Sequence, residues 1–288
     1  MKVLLFPGQG SQVVGMCAEF YKNFNSVKKI FEEANDTLKF NISKIILEGP
    51  ENELKLTKNT QPAILTVSFS IFSVLREEFN LKIEDFKYFA GHSLGEYSAL
   101  SLADYLNFSE TIKLLRSRGE AMQNAVPKGE GGMVAVLGSK IVDIENILNE
   151  NVDTFKVQIA NDNSDGQIVI SGTIKDLEKL IEILKLKKIK NIKLPVSAPF
   201  HCNLMKNATI IMREKIDKVN FKEGTNKLIS NVTAEEILDK DQLKKLLIDQ
   251  IESRVRWRES IIFMINKGID HFIEIGPGKV LSGLVKRI

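Results

Sequence analysis

The most constraining stretch of this sequence is Gly91-His92-Ser93-Leu94-Gly95, which follows an apolar run at residues 87–90 and precedes a segment of helical periodicity. A G-x-S-x-G placed between strand and helix holds its serine on a tight, strained turn, and the glycines are needed because side chains two positions away would collide. The helix start just beyond favours negative charge. The pattern therefore predicts a serine nucleophile, Ser93, at the carboxyl end of a buried strand. A serine hydroxyl needs a base to take its proton, and the chain holds three histidines. His92 sits on the turn itself, where its side chain is expected to point away, and His271 begins a late strand. His201, on a loop near residue 200, is the expected base. Cys202 has neither a strained turn nor a second histidine to activate it and is expected to be structural. No aspartate or glutamate lies in a motif that singles it out as a third member.

A second glycine-rich turn follows the first apolar run, in FPGQGSQ. A dinucleotide loop requires G-x-G-x-x-G. Here Gly8 and Gly10 are followed by Val13 and then Gly15, and no Gly-Lys-Ser/Thr follows, so phosphate binding is disfavoured. An oxyanion hole needs two backbone donors. Leu94, after the nucleophile, is expected to give one amide, and Gln9, on the glycine-lined turn, the other.

Strand and helix patterns alternate over most of the chain, which predicts an α/β fold with a mostly parallel sheet. A helix is expected to resume after Ser11, and others over residues 61–79 and 109–124. Between a glycine-rich stretch after Pro127 and residue 196 the order changes to β-α-β-β-α-β, with a hairpin at residues 163–166. That order is the ferredoxin-like motif. The expected organisation is a discontinuous large domain, residues 1–126 and 197–288, carrying a ferredoxin-like insert at 127–196.

Composition sets outer limits. A net charge of +3 among 27% charged residues gives no basic stripe for nucleic acid. Two cysteines without a C-x-x-C pair give neither a disulfide framework nor a zinc site. No signal-peptide pattern and no apolar run of ~18 residues is found, so a cytoplasmic protein without membrane contact, monomeric by default, is expected. The lysine-rich run at residues 184–190 reads as a solvated helix face, with an acidic partner as the alternative.

The motifs FPGQGSQ, GHSLGEYSAL, RSRGEAMQ, GQIVISG, SAPFHCNLM and EIGPGKVL occur in this order from residue 6 to residue 281. In them the chain resembles the malonyl-CoA:acyl carrier protein transacylases of the acyltransferase family. The resemblance implies an α/β-hydrolase-like large domain with the ferredoxin-like insert. It also implies malonyl-CoA as substrate, acyl carrier protein as partner, and no metal or other cofactor. It makes Ser93 the residue that becomes malonylated and His201 its base. The backbone carbonyl of Gln250 would hold that histidine in place of a carboxylate. Gln9 and Leu94 match the oxyanion-hole amides, and Phe200 the malonyl-selecting version of its motif. Arg118 matches the arginine that clamps the free carboxylate of malonate, a task suited to a planar guanidinium in a dry cleft. Arg116, on another face of the same helix, is expected to be solvated. A hydrolase on the same serine turn, a carrier-binding domain without activity, and a transferase of another acyl group are the rival readings.

Overall fold

The computed structural model describes residues 1–196 and 198–288. Ser197, where the second expected domain boundary falls, lies outside the described residues. Eight strands run through those described: β1 (Lys2–Phe6), β2 (Phe86–Gly91), β3 (Gly131–Leu137), β4 (Val157–Ser164), β5 (Gln167–Thr173), β6 (Lys190–Lys193), β7 (Lys227–Ile229) and β8 (His271–Glu274). They form two four-stranded sheets, ordered β7-β2-β1-β8 and β4-β5-β3-β6.

The first sheet is parallel throughout, and its central strands β1 and β2 are largely apolar because both faces are covered there. Alternation of side chains divides β1 between two cores. Leu4 and Phe6 pack into the larger one with helix Thr57–Glu77, and Val3 and Leu5 into the other with Trp257, Ile261 and Met264. Phe6 pairs in register with Gly91, so the loops leaving β1 and β2 emerge side by side at the carboxyl edge of the sheet, the usual place for a binding site in such folds.

The second sheet is antiparallel. Helices Ile141–Glu150 and Ile174–Leu186 cover one face, where Val134, Val136, Ile168 and Ile170 meet Ile144, Leu177, Leu180 and Leu184. The intervening residues Met133, Ala135 and Val169 face the other way and join the larger core of the first sheet. The two parts are tied together at β4: the Asp162 amide donates to Val255 O (2.9 Å) and Val255 N to Ala160 O (2.8 Å). Buried Asp162 is also gripped by Arg258, at 2.9 Å.

Several elements differ from expectation. The helix expected directly after Ser11 begins only at Ala18, because Gly15 is drawn off to bond Ile46 O at 2.8 Å. Helix Thr57–Glu77 starts before residue 61 and holds Pro62 inside it. Proline cannot donate to the carbonyl four residues back, and that carbonyl, Lys58 O, accepts from Arg116 Nη1 instead (3.2 Å). Strand β4 runs to Ser164, into the hairpin expected at residues 163–166, with two register shifts along its polar end. Strand β6 ends at Lys193, short of the expected end of the insert at residue 196.

Candidate active site

Ser93 caps the turn out of β2 with φ of +53°, in the left-handed region. Such a backbone is strained for a residue with a side chain, and its neighbours show why they are glycines. A Cβ on Gly91 would lie 1.9 Å from the Gly95 carbonyl, and one on Gly95 would lie 2.1 Å from Phe6 O. The turn is thus packed flat against the end of β1. Gly8 presses on the same turn from the other loop, where a Cβ would meet His92 O at 2.6 Å. Among the described residues, neither the Gln9 amide nor the Leu94 amide has a hydrogen-bond partner. Both residues line the cleft beside Ser93.

His201 Nε2 lies 2.8 Å from Ser93 Oγ, and its Nδ1 lies 2.8 Å from Gln250 O. A carbonyl only accepts, so Nδ1 carries the proton and Nε2 is left with a lone pair for the serine hydroxyl. His201 is also in the left-handed region, with φ of +57°. The loop that carries it is anchored to the second sheet by Ser171 Oγ, which donates to Phe200 O at 2.6 Å. Burial first, and then the positive charge of Arg118, push the His201 pKa down to about 3, which keeps the imidazole neutral.

Arg118 projects from helix Phe108–Gln123 and is 1% exposed. Its Nη1 donates to Gln61 Oε1 (2.9 Å), and its Nη2 to Gln250 Oε1 (2.8 Å) and Ser93 Oγ (3.2 Å). The guanidinium also stands 5.5 Å over the Tyr97 ring. A buried arginine whose partners are neutral amides and hydroxyls is a cation without a paired anion, and this one touches the nucleophile. Phe200 is buried at the cleft wall. The cleft, of about 490 Å³, is lined by Gln9, Ser93, Leu94, Arg118, Phe200 and His201 from three loops and the helix. Met133 and Val169 close it from the second sheet.

The structure therefore brings together all seven residues singled out in the sequence: Gln9, Ser93, Leu94, Arg118, Phe200 and His201 on the cleft, with Gln250 behind them. Neither of the other histidines bonds to Ser93, although His92 also lines the cleft. His92 turns away to Asn163 Oδ1 (2.8 Å), and exposed His271 pairs with Asp270. Burial pushes the Cys202 thiol up to about 11, and its Sγ bonds to Pro199 O, so no thiolate is at hand.

Arg116 departs from the expected solvated position. It bonds Asn59 Oδ1 (2.6 Å) and Glu120, and it lies 4.9 Å over the Phe40 ring. Helix packing against Thr57–Glu77 supplies the carbonyl that Pro62 leaves open. Three buried residues behind the nucleophile escaped sequence reasoning: Gln61, Glu96 and Asn231. Asn231 Oδ1 accepts from Ser93 N (2.6 Å), and its Nδ2 donates to Gly91 O (2.7 Å). The only available signal was Glu96's place three residues beyond Ser93, one helical turn away.

The acyl transferase domain matches residues 3–287. The malonyl CoA-acyl carrier protein transacylase of Bacillus subtilis (strain 168) is 46% identical over 286 residues, 99% of this chain and 89% of that protein. Among solved structures, the acyl-carrier-protein-S-malonyltransferase of Bartonella henselae superposes with a TM-score of 0.96 at 43% identity, over 99% of this chain and 91% of that one. A type II PKS acyl-carrier protein in complex with its malonyl-transacylase gives a TM-score of 0.95 at 36% identity, over 100% of this chain and 92% of that one. The serine turn, the buried arginine beside it and these full-length matches agree, and the chain belongs to the acyl transferase family.

Proposed function

We propose that this protein transfers the malonyl group of malonyl-CoA to the phosphopantetheine thiol of acyl carrier protein, through a malonyl-Ser93 intermediate, and so supplies extender units for fatty acid synthesis. The observation that carries the reading is Arg118. A malonyl group bears its free carboxylate one methylene from the thioester carbonyl, so the cation that recognises it must stand beside the nucleophile. Arg118 Nη2 is 3.2 Å from Ser93 Oγ, and its burial removes the water that would screen the pair.

His201 Nε2 takes the Ser93 proton as Oγ attacks the thioester carbonyl. The carbonyl oxygen, now an oxyanion, is held by the Gln9 and Leu94 amides. The C–S bond breaks, and coenzyme A leaves as a thiol with the proton from His201. The carrier thiol then gives its proton to His201, attacks the serine ester and regenerates Oγ–H. Gln250 O holds the imidazole in one tautomer throughout, taking the place of a carboxylate. Phe200 narrows the space at the malonyl α-carbon and so disfavours branched groups. The two thioesters are similar in energy, so side chains and backbone suffice and no cofactor is invoked.

The same reading divides the chain into an α/β-hydrolase-like domain, residues 1–126 and 197–288, and a ferredoxin-like insert at 127–196. The order β4-β5-β3-β6, with both helices on one face, supports it. A monomeric working unit belongs to the same reading. No helix among the described residues is long and apolar enough to cross a membrane, in keeping with a cytoplasmic enzyme.

Intact-protein mass spectrometry after brief mixing with malonyl-CoA tests the function. One malonyl adduct is expected, absent in Ser93→Ala and weak with acetyl-CoA. Steady release of malonate without an adduct would make the protein a hydrolase instead, and neither adduct nor turnover would leave a binding domain.

The pH dependence follows from His201. A depressed pKa keeps the base neutral as the pH falls, so kcat/KM for malonyl-CoA is expected to stay level from about pH 8 to about pH 5. An acid limb centred on the ordinary histidine value would show that burial and Arg118 do not hold the base neutral in this way.

A further inference from the structure

We propose that Glu96 is a positioning residue for the carboxylate clamp, acting through the side-chain amide of Gln250 to set how Arg118 faces the substrate. The inference rests on the malonyl-transfer reading given above. Glu96 lies in the first turn of helix Gly95–Leu102 and is 1% exposed. Its Oε2 accepts from Gln250 Nε2 (2.8 Å) and from Asn231 N (3.0 Å). Its Oε1 has no hydrogen-bond partner among the described residues. Burial pushes the carboxyl up to about 7, against the pull of the Asn231 and Gln250 donors and the Arg118 charge.

A carboxamide has one donating and one accepting end, and it is useful here only in one orientation. Gln250 Nε2 faces three groups that accept, Glu96 Oε2 (2.8 Å), Ser93 O (3.1 Å) and Asn231 Oδ1 (3.4 Å). That fixes Nε2 on the nucleophile side and leaves Oε1 for Arg118 Nη2. With the amide reversed, an NH₂ group would confront the guanidinium and drive it out of the position in which it meets Ser93 Oγ. Glu96 provides the shortest of the three contacts that prevent the reversal. In either protonation state its Oε2 still accepts, so the function needs an acceptor oxygen rather than a negative charge.

Glu96 has a second arm, through Asn231 to the Ser93 amide. Loss of that arm slows attack on any thioester. Only the Gln250 arm reaches the group that distinguishes malonyl from acetyl, so the ratio of kcat/KM for the two acyl-CoAs separates the arms and also separates both from a packing role.

The variants are Glu96→Met, which keeps length but removes the acceptor, Glu96→Gln, which keeps an acceptor oxygen, and Gln250→Leu, which keeps the backbone carbonyl for His201. In Glu96→Met the malonyl-to-acetyl ratio is expected to fall roughly ten- to hundredfold, the factor that a charge-assisted hydrogen bond carries. Glu96→Gln should retain most of the wild-type ratio. Gln250→Leu should show the same fall, and the double variant Glu96→Met/Gln250→Leu no further one, because both act on one link. An unchanged ratio in Gln250→Leu, or in folded Glu96→Met, overturns the inference, as does a Glu96→Gln as unselective as Glu96→Met. A wild-type enzyme that forms no malonyl-Ser93 adduct overturns the functional reading and the inference with it. An adduct with unchanged ratios overturns the inference alone.

Discussion

His201→Ala is expected to slow formation of malonyl-Ser93 by roughly four to six orders of magnitude, the loss seen when one member of a nucleophile–base unit is removed. No neighbouring group can stand in. His92 is committed to Asn163, and Glu96 lies on the far side of the serine turn with its bonded oxygen facing Gln250 and Asn231. The lost partner of Gln250 O opens onto the cleft, where water can reach it, so the melting temperature should move little. Rapid-quench mass spectrometry of the acyl-enzyme is the measurement. A loss below about a hundredfold would mean that the proton leaves Ser93 by another path, and the role of His201 would have to be abandoned.

The second large effect falls on selectivity. Arg118→Ala is expected to lower kcat/KM for malonyl-CoA by about a thousandfold while changing that for acetyl-CoA less than about tenfold, since two charge-assisted contacts to the carboxylate vanish and acetyl makes neither. The substitution also leaves Gln61 Oε1 and Gln250 Oε1 buried without their donor. A fall in stability of about 2 kcal/mol or more should accompany it, so the acyl-enzyme assay is run well below the melting transition. Arg118→Lys restores the charge without the planar fork and should recover only part of the malonyl rate. Equal losses for both acyl-CoAs would show that Arg118 supports the fold or Ser93 rather than the substrate.

The sequence announces a site where backbone strain forces a residue type. Gly91 and Gly95 are legible around Ser93 because no larger side chain fits there, and the turn of Gly8 and Gly10 can be read as an amide donor by elimination. Secondary structure was legible where periodicity was strong, as in β3, β5 and the helices Ile141–Glu150 and Ile174–Leu186. Gln250 could be placed only through the family resemblance. Its working atom toward His201 is a main-chain carbonyl, which any residue could offer and no motif records. Glu96, Asn231 and Gln61 are hidden for a related reason: their partners lie far away in the chain, at Gln250, Ser93 and Arg118. Arg116 misled because helical spacing separates faces but does not say which face another helix covers. The amphipathic helix Asn25–Leu38, with Val27, Ile30, Phe31 and Ala34 buried at helical intervals, carried a clear signal that went unread. The polar end of β4 carried none, since Asn161 and Asp162 lack a strand pattern and are held by Val169 and Ile168 of β5 on one side and by Val255 and Arg258, distant in the chain, on the other.

The alternation along β3 and β5 has a consequence for how such an enzyme can change. Val134, Val136, Ile168 and Ile170 hold the second sheet to its own helices, while Met133, Ala135 and Val169 form cleft wall. The wall can be recut residue by residue, reshaping the space offered to an acyl chain, with the strands' structural half left untouched. Because Ser93 and Arg118 hang from other elements entirely, the bond-making machinery and the template for what it accepts can be inherited and varied separately.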